Sequence, residues 1–208
     1  MGTSKTEFWP KIEFWYEFAS TYSYLAAERI QSLAQSNGMD IAWRPFLLGP
    51  IFKSQGWDTS PFGIYKAKGN YMWRDIERSA DLYGLPFKKS DQVFPQNSIL
   101  AARIALCLPD ADQRGEFSKS AYRAEFSEGQ NIAEPQVIAQ ILNNLGHDSD
   151  QLFQQAKSPD IKQALFANTA EAQEKGIFGA PSLITGDGEL FWGDDRLEQA
   201  LNWPKTSP

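Results

Sequence analysis

Ile12, Phe14, Tyr16 and Phe18 alternate with Glu13, Trp15 and Glu17, the period of a strand with one strongly apolar face. From Tyr22 the period lengthens. Tyr22, Leu25, Ala26, Arg29, Ile30, Leu33 and Ala34 fall on one helical stripe, and Asn37-Gly38 is a good stop for it. Met39, Ile41 and Trp43 then alternate with Asp40, Ala42 and Arg44 up to Pro45, which predicts a second strand. A right-handed crossover makes the two strands parallel. Near the other end, Ser182 to Ile184 and Glu189 to Trp192 flank Gly186-Asp187-Gly188, whose Asp-Gly pair signals a hairpin. A last helix opens at Asp194-Asp195, sets Leu197, Ala200 and Leu201 on one face, and is halted by Pro204.

Between these ends the apolar residues recur at three- and four-residue steps in stretches closed by glycine or proline: Asn70 to Tyr83, Asn97 to Leu108, Asp112 to Glu128, Pro135 to Leu145 and Ile161 to Lys175. Gly49 to Lys68 carries Phe52, Trp57 and Phe62 among Gly, Pro and Ser, and reads as a long loop of the kind that covers a binding site. A β-α-β unit followed by helices, then a hairpin and a helix, is an α/β plan: a thioredoxin-like fold with a large all-helical insertion. The expected division is 9–48 for the first, β-α-β part, 49–160 for the insertion, and 161–205 for the closing helix, hairpin and C-terminal helix.

At 208 residues, 42% hydrophobic and 22% charged, the chain has material for one sizeable core with an elaboration. A formal charge of −6 without a run of Lys or Arg argues against a nucleic-acid partner. Met1 to Trp15 lacks the apolar core of a signal peptide and no 18-residue apolar stretch follows, so no membrane association is expected and the cytoplasm is the default location. Cys107 is the only cysteine, which excludes an intramolecular disulfide, a Cys-x-x-Cys redox pair and a cysteine-rich metal site. Among Ile104, Leu106 and Leu108 it reads as a small buried hydrophobe. His147, the sole histidine, sits at an expected helix end and reads as a loop residue, which discounts Ser-His-Asp and Cys-His chemistry; no metal site is expected.

Three places carry candidate chemistry. Ser20-Thr21-Tyr22-Ser23 lies where strand passes into helix, so unpaired N–H groups and the helix dipole favour a negative charge there; Ser20 equally suits a plain N-cap. Ser20 and Ser23 have the spacing and location of a Cys-x-x-Cys pair with both sulfurs missing, and a serine hydroxyl can donate to a thiolate brought by another molecule. Gly179-Ala180-Pro181-Ser182 precedes a strand where thioredoxin-like folds place a cis-proline, which exposes the backbone of Ala180 to an extended peptide ligand. Trp192-Gly193-Asp194-Asp195-Arg196 sets two carboxylates at the start of the last helix. One is expected to cap it, and the other is able to meet an ammonium.

Phe18-Ala19-Ser20-Thr21-Tyr22-Ser23-Tyr24-Leu25-Ala26 resembles a segment of the 2-hydroxychromene-2-carboxylate isomerases. Arg44 to Gly49, Lys68 to Met72, Phe94 to Ser98, Gly176 to Pro181 and Phe191 to Leu197 look, in order, like counterparts in those isomerases and in the kappa-class glutathione transferases. The resemblance spans roughly residues 11 to 203. It implies a DsbA-like, kappa glutathione transferase architecture, reduced glutathione as cofactor, a small aromatic or enone substrate and a homodimer. It places Ser20 at the glutathione sulfur as the catalytic residue. Lys68, Ala180, Pro181, Gly193, Asp194 and Asp195 fall at the cofactor, and Tyr22, Trp57 and Asn97 on the substrate side. Trp57 departs from relatives that carry an asparagine thereabouts, and Lys68 alone reads equally as a solvated charge. The activity implied is isomerisation of 2-hydroxychromene-2-carboxylate to trans-o-hydroxybenzylidenepyruvate by reversible thiolate addition, with Lys68 and Asn97 as candidates for holding the pyruvyl carboxylate. A kappa-type transferase or peroxidase, and a non-catalytic peptide-binding module, are the alternatives.

Overall fold

A computed structural model describes residues 11–203. The expected stop at Pro204 and the outermost positions of the expected division, 9, 10, 204 and 205, lie outside the described residues. Strand β1 (Lys11–Tyr16) leads into helix α1 (Thr21–Ser36) and strand β2 (Asp40–Pro45). The two strands pair in parallel, with Phe14 opposite Trp43 and Trp15 opposite Arg44. Far along the chain, β3 (Ser182–Ile184) and β4 (Leu190–Trp192) form the hairpin, and the sheet order is β2-β1-β3-β4 with β3 antiparallel to both neighbours. A single turn of 3-10 helix (Asp194–Arg196) runs into the short α10 (Leu197–Asn202).

Between β2 and β3 lie α2 (Leu48–Ser54), α3 (Pro61–Ile64), α4 (Lys66–Tyr83), α5 (Ile99–Cys107), α6 (Ala111–Phe126), α7 (Pro135–Asn144), α8 (Ser149–Ala156) and α9 (Pro159–Glu174). This is a thioredoxin fold with helices inserted. The helix starts follow side-chain chemistry: Asp110 accepts from the N–H groups of Asp112 and Gln113, Asp148 from that of Gln151, and Ser158, followed by Pro159, from that of Ile161. Four of these helices differ from the sequence expectation. The stretch from Gly49 to Lys68 contains α2 and α3 instead of running as an open loop, α4 begins at Lys66 instead of Asn70, and α8 was not expected.

β1 is buried on both faces, not on one. Ile12, Phe14 and Tyr16 pack with α1, α4, α5 and α6 in the main core, where the Phe14 and Trp43 rings meet edge-on at 5.1 Å. Trp15 points to the other side, into a smaller cluster with Phe46, Ile51, Ala172 of α9, Ile177 and Ile184. Each such aromatic or aliphatic side chain contributes about 1.5–3 kcal/mol when fully buried. The junction between β1 and α1 is thus clamped from both faces, and that is where the candidate chemistry lies.

Candidate functional site

Ser20 ends the turn after β1 with extended backbone (φ −92°, ψ 115°), and its Oγ accepts the Ser23 N–H at 3.2 Å, so it does cap α1. The same hydroxyl donates to the carbonyl of Ala180 at 2.9 Å, across 160 residues of chain. The Ala180-Pro181 peptide bond is cis. Pro181 itself is buried behind this contact, and its carbonyl accepts the Gly193 N–H at 3.0 Å. One hydroxyl and one cis-proline turn therefore join the head of α1 to the segment before α10. Gly193 is required at its place, because its φ is +113° and a Cβ there would lie 2.5 Å from Asp195 Oδ1. At Gly179 a Cβ would stand 2.3 Å from the indole nitrogen of the half-exposed Trp192, which would have to turn aside.

The two carboxylates after Gly193 differ in kind. Neither caps a helix through its side chain, so the capping role expected for one of them is not found. Asp194 is buried, and Arg29 reaches its carboxylate at 3.6 Å. Burial pushes its carboxyl up to about 6, against the pull of Arg29 and with a further push from Asp195. Asp195 is exposed, and its carboxylate meets the side chain of its neighbour Arg196 at 3.2 Å.

A cavity of about 1260 Å³ opens between the sheet end and the inserted helices, and its walls include Ser20, Tyr22, Trp57, Lys68, Asn97, Ala180, Gly193, Asp194 and Asp195. Residues far apart in sequence are brought to one space; Pro181 stands behind its wall. Within that space several are already engaged. The Tyr22 hydroxyl donates to Asp75 at 3.0 Å, and burial together with that carboxylate pushes it up. Asn97 Oδ1 accepts the Ile99 N–H at 3.1 Å at the start of α5. Trp57 packs on Phe52, ring centroids 6.0 Å apart, and Lys68 is exposed in the first turn of α4 with its Nζ 5.9 Å from the Tyr65 ring.

Sequence reasoning missed Glu17, which took its place in the alternation as an ordinary polar position. It is buried at the cavity wall, and its carboxyl accepts from the Ala19 N–H at 2.9 Å and from the Ser98 hydroxyl. Desolvation pushes this carboxyl up to about 7. Its sequence signal was an acid flanked by the buried aromatics Tyr16 and Phe18. Arg103 of α5 was missed as well, and it also lines the cavity. Cys107, by contrast, is buried as expected, and burial pushes its thiol up to about 11. No cluster of His, Cys, Asp and Glu suited to a metal ion occurs among the described residues, and no described helix is long and apolar enough to cross a membrane.

A cis-proline turn facing the head of the first helix defines a thioredoxin-type site. The DSBA-like thioredoxin domain matches residues 11–202, and the chain belongs to that family. Among its relatives, the 2-hydroxychromene-2-carboxylate isomerase of Pseudomonas putida is 29% identical over 188 residues, 89% of this chain and 90% of its own length. Glutathione S-transferase kappa 1 of Caenorhabditis elegans is 26% identical over 214 residues, 96% of this chain and 94% of its own. A solved 2-hydroxychromene-2-carboxylate isomerase superposes with a TM-score of 0.82 at 25% identity, with 94% of each chain covered. The chain thus lies among isomerases and kappa transferases.

Proposed function

We propose that the protein is a glutathione-dependent isomerase that interconverts 2-hydroxychromene-2-carboxylate and trans-o-hydroxybenzylidenepyruvate or a close analogue of that pair. The observation that carries this reading is the Ser20 hydroxyl at the head of α1, bound to the carbonyl before cis-Pro181, in a chain whose one cysteine is buried in α5. A site of thioredoxin geometry without its own sulfur suits a ligand that brings one. The relatives named as this isomerase, at 28–29% identity, support the choice of reaction.

The residues present fit glutathione. Ala180 lines the cavity, and its N–H has no hydrogen-bond partner among the described residues, so it is available to an extended peptide. Asp195 offers an exposed carboxylate to the γ-glutamyl ammonium, while the buried Asp194, held by Arg29, positions the turn that presents it. Lys68 offers a cation to a carboxylate of the tripeptide. When bound, glutathione supplies a thiolate, a nucleophile able to add to and depart from an electron-poor alkene. Ser20 has a single proton to give, to Ala180 O or to a sulfur anion, while its Oγ stays held by the Ser23 N–H. The first-turn N–H groups of α1 and its dipole favour the same negative charge. The apolar side chains of the cavity wall, Leu48, Phe52 and Phe62 among them, limit water around it.

A few per cent of glutathione relative to 2-hydroxychromene-2-carboxylate suffices for the test. The reading expects many turnovers per glutathione with none lost, and it is abandoned if no conversion depends on the tripeptide. The 26% identity to a kappa transferase over 96% of the chain favours a second reading, conjugation. Loss of glutathione in step with product identifies that outcome.

A further inference from the structure

Arginines in this protein have partners. Arg44 meets Glu171 and Arg123 meets Glu28, each at 2.6 Å, Arg114 donates to the carbonyls of Trp43, Ala105 and Leu108, and Arg29, Arg74, Arg78 and Arg196 each face a carboxylate. Arg103 is different. It stands mid-way along α5; its Nε is buried without a hydrogen bond, as is that of Arg44, but unlike Arg44 its guanidinium has no carboxylate partner among the described residues. It nonetheless lines the cavity that contains Ser20. Arg103 is half-buried: its Nε is closed off from water while the tip of its guanidinium is not, so the charge at the cavity wall is open to an anion that a ligand brings.

The surroundings define that anion. The guanidinium fork matches a carboxylate with two parallel hydrogen bonds. Leu165 and Phe166 of α9 and Ile99 of α5 line the same cavity, and Phe166 is 61% exposed, so apolar surface is offered beside the charge. Lys162 of α9 adds a second, exposed cation to this wall. Three carboxylates of the cavity are engaged elsewhere, Asp75 with Arg78 and Tyr22, Asp194 with Arg29, and Glu17 with Ser98 and the Ala19 N–H, and neither Asp58 nor Asp195 of the same lining pairs with Arg103. The two residues to which sequence reasoning gave the substrate carboxylate are weaker choices. Asn97, its oxygen tied to the Ile99 N–H, has only neutral amide N–H groups to give a carboxylate, and Lys68 is an exposed single-point cation without a fork.

We propose that Arg103 is the carboxylate anchor for the acceptor substrate, and that the wall formed by α5 and α9 takes an aromatic acid with its ring against Leu165 and Phe166. This rests on the function proposed above for the choice of cavity, and deepens it by naming the residue that selects an acid over a neutral enone. The test is calorimetry of trans-cinnamate and of trans-cinnamamide, without glutathione, on the wild type and on Arg103→Gln. The wild type is expected to prefer the acid by about tenfold to a hundredfold, the range for a hydrogen-bonded charge pair. Arg103→Gln is expected to lose most of the preference, the exposed Lys162 leaving at most a small remainder, while its affinity for glutathione stays unchanged. Equal binding of acid and amide by the wild type, or a preference of the same size in Arg103→Gln, overturns the proposal. If the variant does not fold, the wild type decides: saturation with cinnamate must move the Arg103 Nε–H resonance, and a resonance that stays put overturns the assignment. Glutathione titrated in parallel separates the two claims. A cinnamate preference without glutathione binding defeats the proposed function alone, and glutathione binding without the preference defeats Arg103 alone.

Discussion

Replacing Glu17 by glutamine keeps the shape and one acceptor oxygen, which can hold the Ala19 N–H while the amide N–H donates to the Ser98 hydroxyl in place of accepting from it, but removes a buried ionisable group. The Glu17 carboxyl, ordinarily at 4.5, releases its proton near pH 7 in the fold, because ionisation there exposes an unsolvated charge. Between those values the folded state holds more protons than the unfolded chain, so this group makes stability fall as pH rises from about 4.5 to about 7. At 1.36 kcal/mol per tenfold change, the separation amounts to about 3 kcal/mol. Asp194, pushed up to about 6, adds a similar decline at lower pH, but does so in both proteins. Glu125, buried and pushed up by desolvation and by the charge of Glu17, is relieved in the variant, which acts in the same direction. Urea unfolding at pH 5, 6, 7 and 8 measures the result. The stability of Glu17→Gln minus that of the wild type is expected to grow by about 3 kcal/mol across this range. A difference that stays constant with pH refutes the burial of a titrating carboxyl at this position.

Gly193→Ala forces a β-carbon into a left-handed backbone and against Asp195, and should lower stability by about 1–3 kcal/mol in urea unfolding; an unchanged midpoint contradicts it. Cys107, with its thiol pushed up to about 11, should react with a thiol reagent at pH 8 only as fast as the protein opens, and at once in urea; rapid labelling of the native protein contradicts its burial.

The parts legible in the sequence are those whose pattern is long and whose ends carry chemistry. The alternation from Ile12 to Phe18, the helical stripe from Tyr22 to Ala34 and the Asp187-Gly188 turn led directly to β1, α1, β2 and the hairpin. The helices α2, α3 and α8, with seven, four and eight residues, are too short for a 3.6-residue period to declare itself. Their start signals, Ser60-Pro61 and Asp148, were present but had no stripe to attach to. The burial of Trp15 escaped notice because alternation assigns one face to solvent, whereas α9 covers that face too. At the site, residue types were readable and relations were not. Ser20 announced itself by position, but its bond to Ala180 O spans 160 residues, and the solitude of Arg103 is a property of everything around it. Likewise one of Asp194 and Asp195 read as a helix cap and the other as open to an ammonium, whereas the fold buries Asp194, leaves Asp195 exposed and caps with neither.

The central claim concerns a sulfur anion settled by the head of α1, and the thiolate absorbance of bound glutathione, followed against pH, tests it most directly. The account predicts that the thiol ionises at least about one pH unit below that of free glutathione, a tenfold preference for the anion, and that most of this gain vanishes in Ser20→Ala. Absence of glutathione binding, or a bound thiol that titrates identically with and without the Ser20 hydroxyl, contradicts it.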